Sequence, residues 1–95
     1  MNIDWSSEKN EILEQCRGIS FEIIANKIAI GDTLLNTPHP NADKYPNQYI
    51  YVVNIDNYCY MVPYVKSEEG IFLKTIFPSR EMSKRFLGVK DENDR

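Results

Sequence analysis

The chain is predicted to fold as one small α+β domain, with two N-terminal helices packed on one face of a mainly antiparallel four-stranded sheet and a short C-terminal helix. Three observations predict that class. Apolar residues recur at helical spacing over positions 6–31 and alternate over positions 33–77. Short polar and glycine-bearing pairs punctuate the second half at hairpin intervals. The length, 95 residues, suits one core and leaves little room for a second.

The elements follow in order. Ile3 to Trp5 starts a short strand or lead-in. Ser6 or Ser7 caps a helix that runs to about Arg17, with Gly18 in the left-handed position. Ile12, Leu13 and Cys16 form its apolar stripe, and Lys9 extends that stripe one turn earlier. Lys9 should therefore lie along the core border, its stem packed and its amine reaching past the helix start. Ser20 caps a second helix, with Ile19 and Ile24 as a hydrophobic staple. Phe21, Ile24, Ala25 and Ile28 line one face, and Gly31 ends it.

From Thr33 the pattern is that of strands. Thr33–Thr37 is the first. The run HPNADKYPNQ at 39–48 opens with His39 between Pro38 and Pro40, each proline restricting the residue before it to extended shapes. It reads as a stiff connection, with the alternative that His39, Lys44 or Tyr45 enters a site. Tyr49–Ile55 and Tyr58–Val65 flank Asp56-Asn57, a two-residue type I′ turn. That register pairs Ile55 with Tyr58, Val53 with Tyr60, Tyr51 with Val62 and Tyr49 with Tyr64. One face then carries Tyr49, Tyr51, Tyr58, Tyr60 and Tyr64, an amphipathic set suited to partial exposure. The other carries Ile50, Val52, Cys59, Met61 and Val65 and is expected to receive the helices. Glu68-Glu69-Gly70 fits a three-residue hairpin loop into a strand Ile71–Phe77. This places Lys74 opposite Tyr64, on the tyrosine face, with Leu73, Thr75 and Phe77 toward the helices. Pro78 stops the strand, Ser79 caps a helix to Leu87, and Gly88 closes it. The domain is expected to span 1–88, with 89–95 as a mobile tail.

Composition bounds the function. Apolar and charged fractions of 42% and 26% are ordinary for a globular protein. No run approaches a membrane span, and the N-terminus lacks the regions of a signal peptide, so the expected compartment is the cytoplasm. Cys16 and Cys59 lack metal-ligand spacing and read as small buried hydrophobes; no metal and no cofactor is implied. The net charge of −3 is unevenly spread. Residues 71–90 carry Lys74, Arg80, Lys84, Arg85 and Lys90 against Glu81 alone, a cluster able to meet phosphate or to form a solvated helix face.

The stretch WSSEKNEILEQCRGISFE resembles the opening of BrnT-type toxins, a branch of the RelE/ParE superfamily of bacterial type II toxin–antitoxin systems. Trp5, Glu8, Lys9, Asn10 and Gly18 to Glu22 match its pattern without a gap. TIFPSREMSKRF is similar to the family's final strand and last helix, with Arg80 at the position of its arginine. The chain departs from the pattern at Cys16-Arg17, where lysine-histidine is usual, and at Thr75, where a basic residue is usual. The resemblance implies the RelE-like fold and metal-independent cleavage of mRNA. It also implies a cognate antitoxin protein that holds the enzyme inactive, with a homodimer or a toxin–antitoxin hetero-oligomer as the assembly.

Cleavage of RNA without a metal needs three things: removal of the 2′-hydroxyl proton, stabilisation of charge on phosphorus, and protonation of the leaving 5′-oxygen. The residues expected to serve are Lys9, Lys74, Arg80 and His39. Lys44, Tyr45, Tyr49, Tyr64 and Lys84 are expected to contact RNA, tyrosine faces being able to stack bases. The rival expectation is a non-catalytic module of the same fold that binds another protein through its sheet face or edge.

Overall fold

Three helices and a mixed sheet make up residues 2–88, the part of the chain that the computed structural model describes. The order is β1 (Asn2–Trp5), α1 (Ser7–Arg17), α2 (Phe21–Ala29), β2 (Leu35–Pro38), β3 (Gln48–Ile55), β4 (Tyr58–Ser67), β5 (Gly70–Leu73), β6 (Phe77–Pro78) and α3 (Arg80–Leu87). Across the sheet the strands run β1-β5-β4-β3-β2, and β6 also pairs with β4. The expected tail at 89–95 lies outside the described residues.

The helix boundaries follow from their caps. Ser6 accepts from the Lys9 amide at 3.2 Å and Gly18 ends α1 at φ 67°. Ser20 and Ser79 cap α2 and α3 in the same way. Within α1 the inward positions differ from those expected: Asn10 and Leu13 are buried, whereas Ile12 is 47% exposed and Cys16 is exposed. Asn10 is the cause. Its Oδ1 accepts from the Phe21 amide at 2.7 Å, and its Nδ2 donates to Glu22 at 2.8 Å and Glu14 at 3.3 Å. To reach the start of α2, α1 must turn positions 10 and 13 inward, which turns 12 and 16 out.

The hairpin between β3 and β4 has the expected register throughout. Asp56 and Asn57 both take positive φ, 52° and 66°, as a type I′ turn requires. The next connection differs. Ser67 pairs with Gly70, leaving Glu68-Glu69 as a two-residue loop, so Tyr64 faces Leu73 and not Lys74. One residue fewer in the loop reverses the side on which each β5 residue points. Lys74 therefore lies opposite Pro63, to which its amide donates at 2.9 Å, on the side away from the tyrosines. The expected strand Ile71–Phe77 is also broken. Between Lys74 and Ile76 one residue is extra relative to β4, a bulge that restores pairing at Phe77 with Met61.

The helices cover the face that was expected to be open. Leu13, Ile19, Phe21 and Ile24 form one cluster with Val53, Val62, Tyr64, Ile71, Leu73 and Ile76, and Trp5, Tyr49, Tyr51 and Tyr60 pack against it. The tyrosine rings bury large apolar surfaces while their hydroxyls reach the rim, so this side is as good a core as the aliphatic one. β1 reinforces it with Ile3 and Trp5, the latter stacked on Phe21 at 5.9 Å. β1 also supplies a pairing outside the four strands expected, running parallel to β5. Its approach depends on Gly70: a Cβ there would collide with the Asn2 carbonyl oxygen.

Asn10→Ala should lower stability by about 1–3 kcal/mol, because the buried Phe21 amide loses its acceptor. Asn10→Asp should be no better at neutral pH, since it sets a carboxylate against Glu22 and Glu14. Denaturant unfolding measures both, and a loss below a few tenths of a kcal/mol in the alanine variant would show that the two helices are held by packing alone.

Candidate functional site

The face left uncovered by α1 and α2 is defined by register. His39, Gln48, Val65 and Phe72 form one row across it, since the His39 amide donates to Gln48 O at 2.9 Å. Thr37, Ile50, Pro63 and Lys74 form the next, and Leu35, Val52, Met61 and Phe77 the third. Val52 and Cys59 are fully buried on this side, near the end of the sheet to which α3 is fastened. The fastening is Ser83, itself fully buried. Its hydroxyl accepts from the Cys59 amide at 2.7 Å and donates to Ser79 O at 2.8 Å. Burial pushes the Cys59 thiol above its ordinary value. Beyond α3 the face is open, with Phe72 42% and Phe77 36% exposed and Lys74 exposed between them.

The residues singled out in the sequence fall into separate groups. Lys74 and His39 share the uncovered face, three strand spacings and one row apart, roughly 16 Å at about 4.8 Å per strand and 3.4 Å per residue. Arg80 and Lys84 are on α3, directly after β6, and each has an interaction partner. Lys9 is half-buried in the first turn of α1. Because Trp5 pairs with Leu73, α1 starts at the same end of the β1–β5 pair as Lys74, but in the helix layer. Tyr49 and Tyr64 are on the covered face, so Lys74 does not stand beside the tyrosines as was expected.

The 39–48 segment is a tightly bonded loop. Tyr45 donates its amide to Asn41 O at 3.0 Å, Gln48 to Tyr45 O at 3.2 Å, and Lys66 reaches in to Asn47 O at 2.8 Å. The Asn41 amide donates to His39 Nδ1 at 3.0 Å. Nδ1 is therefore the acceptor, and the neutral ring carries its proton on Nε2. Tyr45 lies against the imidazole at 4.6 Å, and Lys44 Nζ stands 5.4 Å from the Tyr45 ring centre. Two prolines and this ladder hold the histidine in a fixed orientation.

On the covered side, Tyr64 stacks on Tyr51 at 4.8 Å and on Tyr49 at 5.6 Å. Its hydroxyl donates to Asn36 Oδ1 at 2.6 Å. At 3% exposure and with both neighbours on its ring, it has no free face for a base. Tyr49 is nearer the rim, with Lys66 Nζ 5.8 Å from its ring centre, beside an open concavity lined also by Asn47, Ser67 and Glu68.

Sequence reasoning misses Asn10, Phe72 and Phe77. The first hides in a polar motif. A three-residue loop at Glu68-Glu69-Gly70 would set Phe72 on the tyrosine face, and Phe77 belongs to the aliphatic face that was expected to receive the helices. Among the described residues no group of three or more His, Cys, Asp and Glu side chains is arranged to hold a metal ion, and no helix is long and apolar enough to cross a membrane. No protein family, curated protein or solved structure matches the chain.

Burial, reinforced by Tyr51, pushes the Tyr64 phenol from 10 up to about 12. Its folded value thus exceeds its unfolded one, so its contribution to stability is complete below pH 10 and is lost as pH rises through about 12. Tyr64→Phe should flatten the fall of the melting temperature over that alkaline window; an unchanged fall would place its cause elsewhere.

Proposed function

We propose that this chain is the toxin component of a type II toxin–antitoxin pair, a RelE-like, metal-independent ribonuclease. The observation that carries the reading is the shared placement of Lys74 and His39 on the one sheet face that α1 and α2 leave uncovered, with α3 and its Arg80 and Lys84 fastened at the end of that face. The likeness of WSSEKNEILEQCRGISFE to BrnT-type toxins agrees with it, as does the topology, a helical pair inserted between an edge strand and an antiparallel meander.

Lys74 and Arg80 hold the scissile phosphate and offset the charge that builds on phosphorus, a contribution of roughly 10²–10³ in rate for a single well-placed donor. The 2′-hydroxyl gives its proton to a solvent water at the open face, its oxygen attacks phosphorus, the bond to the 5′-oxygen breaks, and a 2′,3′-cyclic phosphate is left. The ammonium of Lys74 supplies the proton that the departing 5′-oxygen takes up, typically a further 10²–10⁴, and the neutral His39 ring, about 16 Å away, donates its Nε2–H to a phosphate further along the strand. Lys9, at the end of the β1–β5 pair, borders the phosphate from the helix side. Lys44 and Tyr45 flank His39 and guide the RNA. An antitoxin covering the apolar face and α3 silences the enzyme.

A second reading has its own observation. Phe72, Phe77, Met61, Pro63 and Val65 make the same face apolar, as a non-catalytic protein-binding module would require. Activity separates the two. The purified chain should cut RNA in EDTA and arrest growth when induced, Lys74→Ala and Arg80→Ala should each lower the cleavage rate by about 10²-fold or more, and His39→Ala should lower it by less, all with folding intact. Wild-type protein that leaves RNA whole and growth unimpaired would remove the nuclease and leave the binding module.

A further inference from the structure

We infer that Phe72, Lys74 and Phe77 form a stacking lane for single-stranded RNA, an inference that rests on the reading of the chain as an RNA-directed toxin and names how that site grips its substrate. The three side chains follow one another along β5 and β6 on the uncovered face, each opposite a β4 residue of the same side: Val65, Pro63 and Met61. Those partners are two residues apart, so successive members of the lane are spaced by roughly 7 Å at about 3.4 Å per residue. The bulge between Lys74 and Ile76 creates the arrangement. Without the extra residue Phe77 would point into the core; with it, Ile76 fills the core at 1% exposure and Phe77 is 36% exposed.

Two phenyl rings with a cation between them match an RNA strand laid along the lane. Each ring offers a flat face to a base, and the ammonium meets the phosphate that links the nucleotides. Charge selects nucleic acid over an apolar peptide as occupant. From Lys74 through α3 the chain carries Lys74, Arg80, Lys84 and Arg85 against Glu81. Asp4, opposite Phe72 on β1, and Glu69, which lines the same concavity as Asp4 and Phe72, are acidic groups beside the lane and keep the phosphates toward the Lys74 end. Both rings are solvent-facing, so shortening either leaves the core intact.

The test is binding of a short single-stranded oligouridine whose 2′-oxygens are methylated, so that it cannot be cut, followed by fluorescence anisotropy. Phe72→Ala and Phe77→Ala should each weaken binding by about 5- to 150-fold, the equivalent of about 1–3 kcal/mol per stacked base, and Phe72→Tyr and Phe77→Tyr should preserve it. Lys74→Ala should reduce the slope of log affinity against log salt by about 0.7–1. Melting temperatures of the variants, expected near wild type, exclude unfolding as the cause. Unchanged affinity in both alanine variants, equal affinity for duplex RNA, or no binding by wild type would overturn the lane, and the face would then belong to a protein partner. If wild type cuts unmodified RNA while both alanine variants bind the oligomer normally, the lane fails and the nuclease stands. If binding depends on the phenylalanines but nothing is cut and growth continues, the nuclease fails and the lane stands.

Discussion

The register of the β3–β4 hairpin decides where every side chain of the sheet points. It is set by two residues, Asp56 and Asn57, which accept the left-handed conformations of a type I′ turn. From there the alternation passes to β5 through a second two-residue loop, Glu68-Glu69, and to β2 through the pairing of Leu35–Pro38 with Tyr49–Val52. A slip of one residue at either turn would exchange the two faces. The uncovered face, and any chemistry on it, is thus a consequence of turn length before it is a consequence of side-chain chemistry. The bulge after Lys74 breaks the alternation, and there it sends Leu73 and Ile76 inward together while Lys74 and Phe77 stay outside.

The helical pair is a second constraint, and it changes the meaning of the motif that most resembles the toxins. Asn10 ends the EKN group and bonds to the first residues of the helix that SFE begins. These bonds span the Gly18 joint and fix how α2 leaves α1. Glu22 is tuned by the same contact: its carboxyl is held below the ordinary value first by the Asn10 amide and then by backbone donation. Its contribution to stability is therefore complete above the unfolded value and lost as pH falls through the folded one. Much of what looks there like a catalytic signature is a folding device. Lys9 enters that device through its backbone amide, which Ser6 caps, and its ammonium is left to other work.

Local rules made most of the elements legible. Ser6, Ser20 and Ser79 cap the helices, Gly18 and Gly88 close two of them, and the central hairpin is readable residue by residue. Non-local facts were not. Nothing in Asn2–Trp5 alone says that it will run parallel to a strand some seventy positions away; the clue was Gly70, whose missing side chain makes room for Asn2. The choice of covered face failed for a different reason. Tyrosines mark an amphipathic surface, and Tyr64 is nonetheless buried because Asn36 takes its hydroxyl. Of the candidate site, Lys74 was found for its charge but set beside the tyrosines, and Phe72 was carried there by the same loop error. Phe77 was lost because the aliphatic side of the sheet looked like the natural seat for the helices.

A chain of net charge −3 can still attract a polyanion if its charges are segregated. Glu8, Glu11, Glu14 and Glu22 are exposed on α1 and α2, on the far side of the sheet from Lys74. An approaching phosphate meets the near charges first, since those beyond a Debye length, about 10 Å at 0.1 M salt, are largely screened. The helical layer thus contributes to the sum more than to the field at the uncovered face. There the balance is set by Lys74, Arg80, Lys84 and Arg85 against Glu81, Asp4 and Glu69. Overall acidity disfavours indiscriminate binding of nucleic acid, and the proposed lane relies on a narrow local cationic margin and two exposed rings.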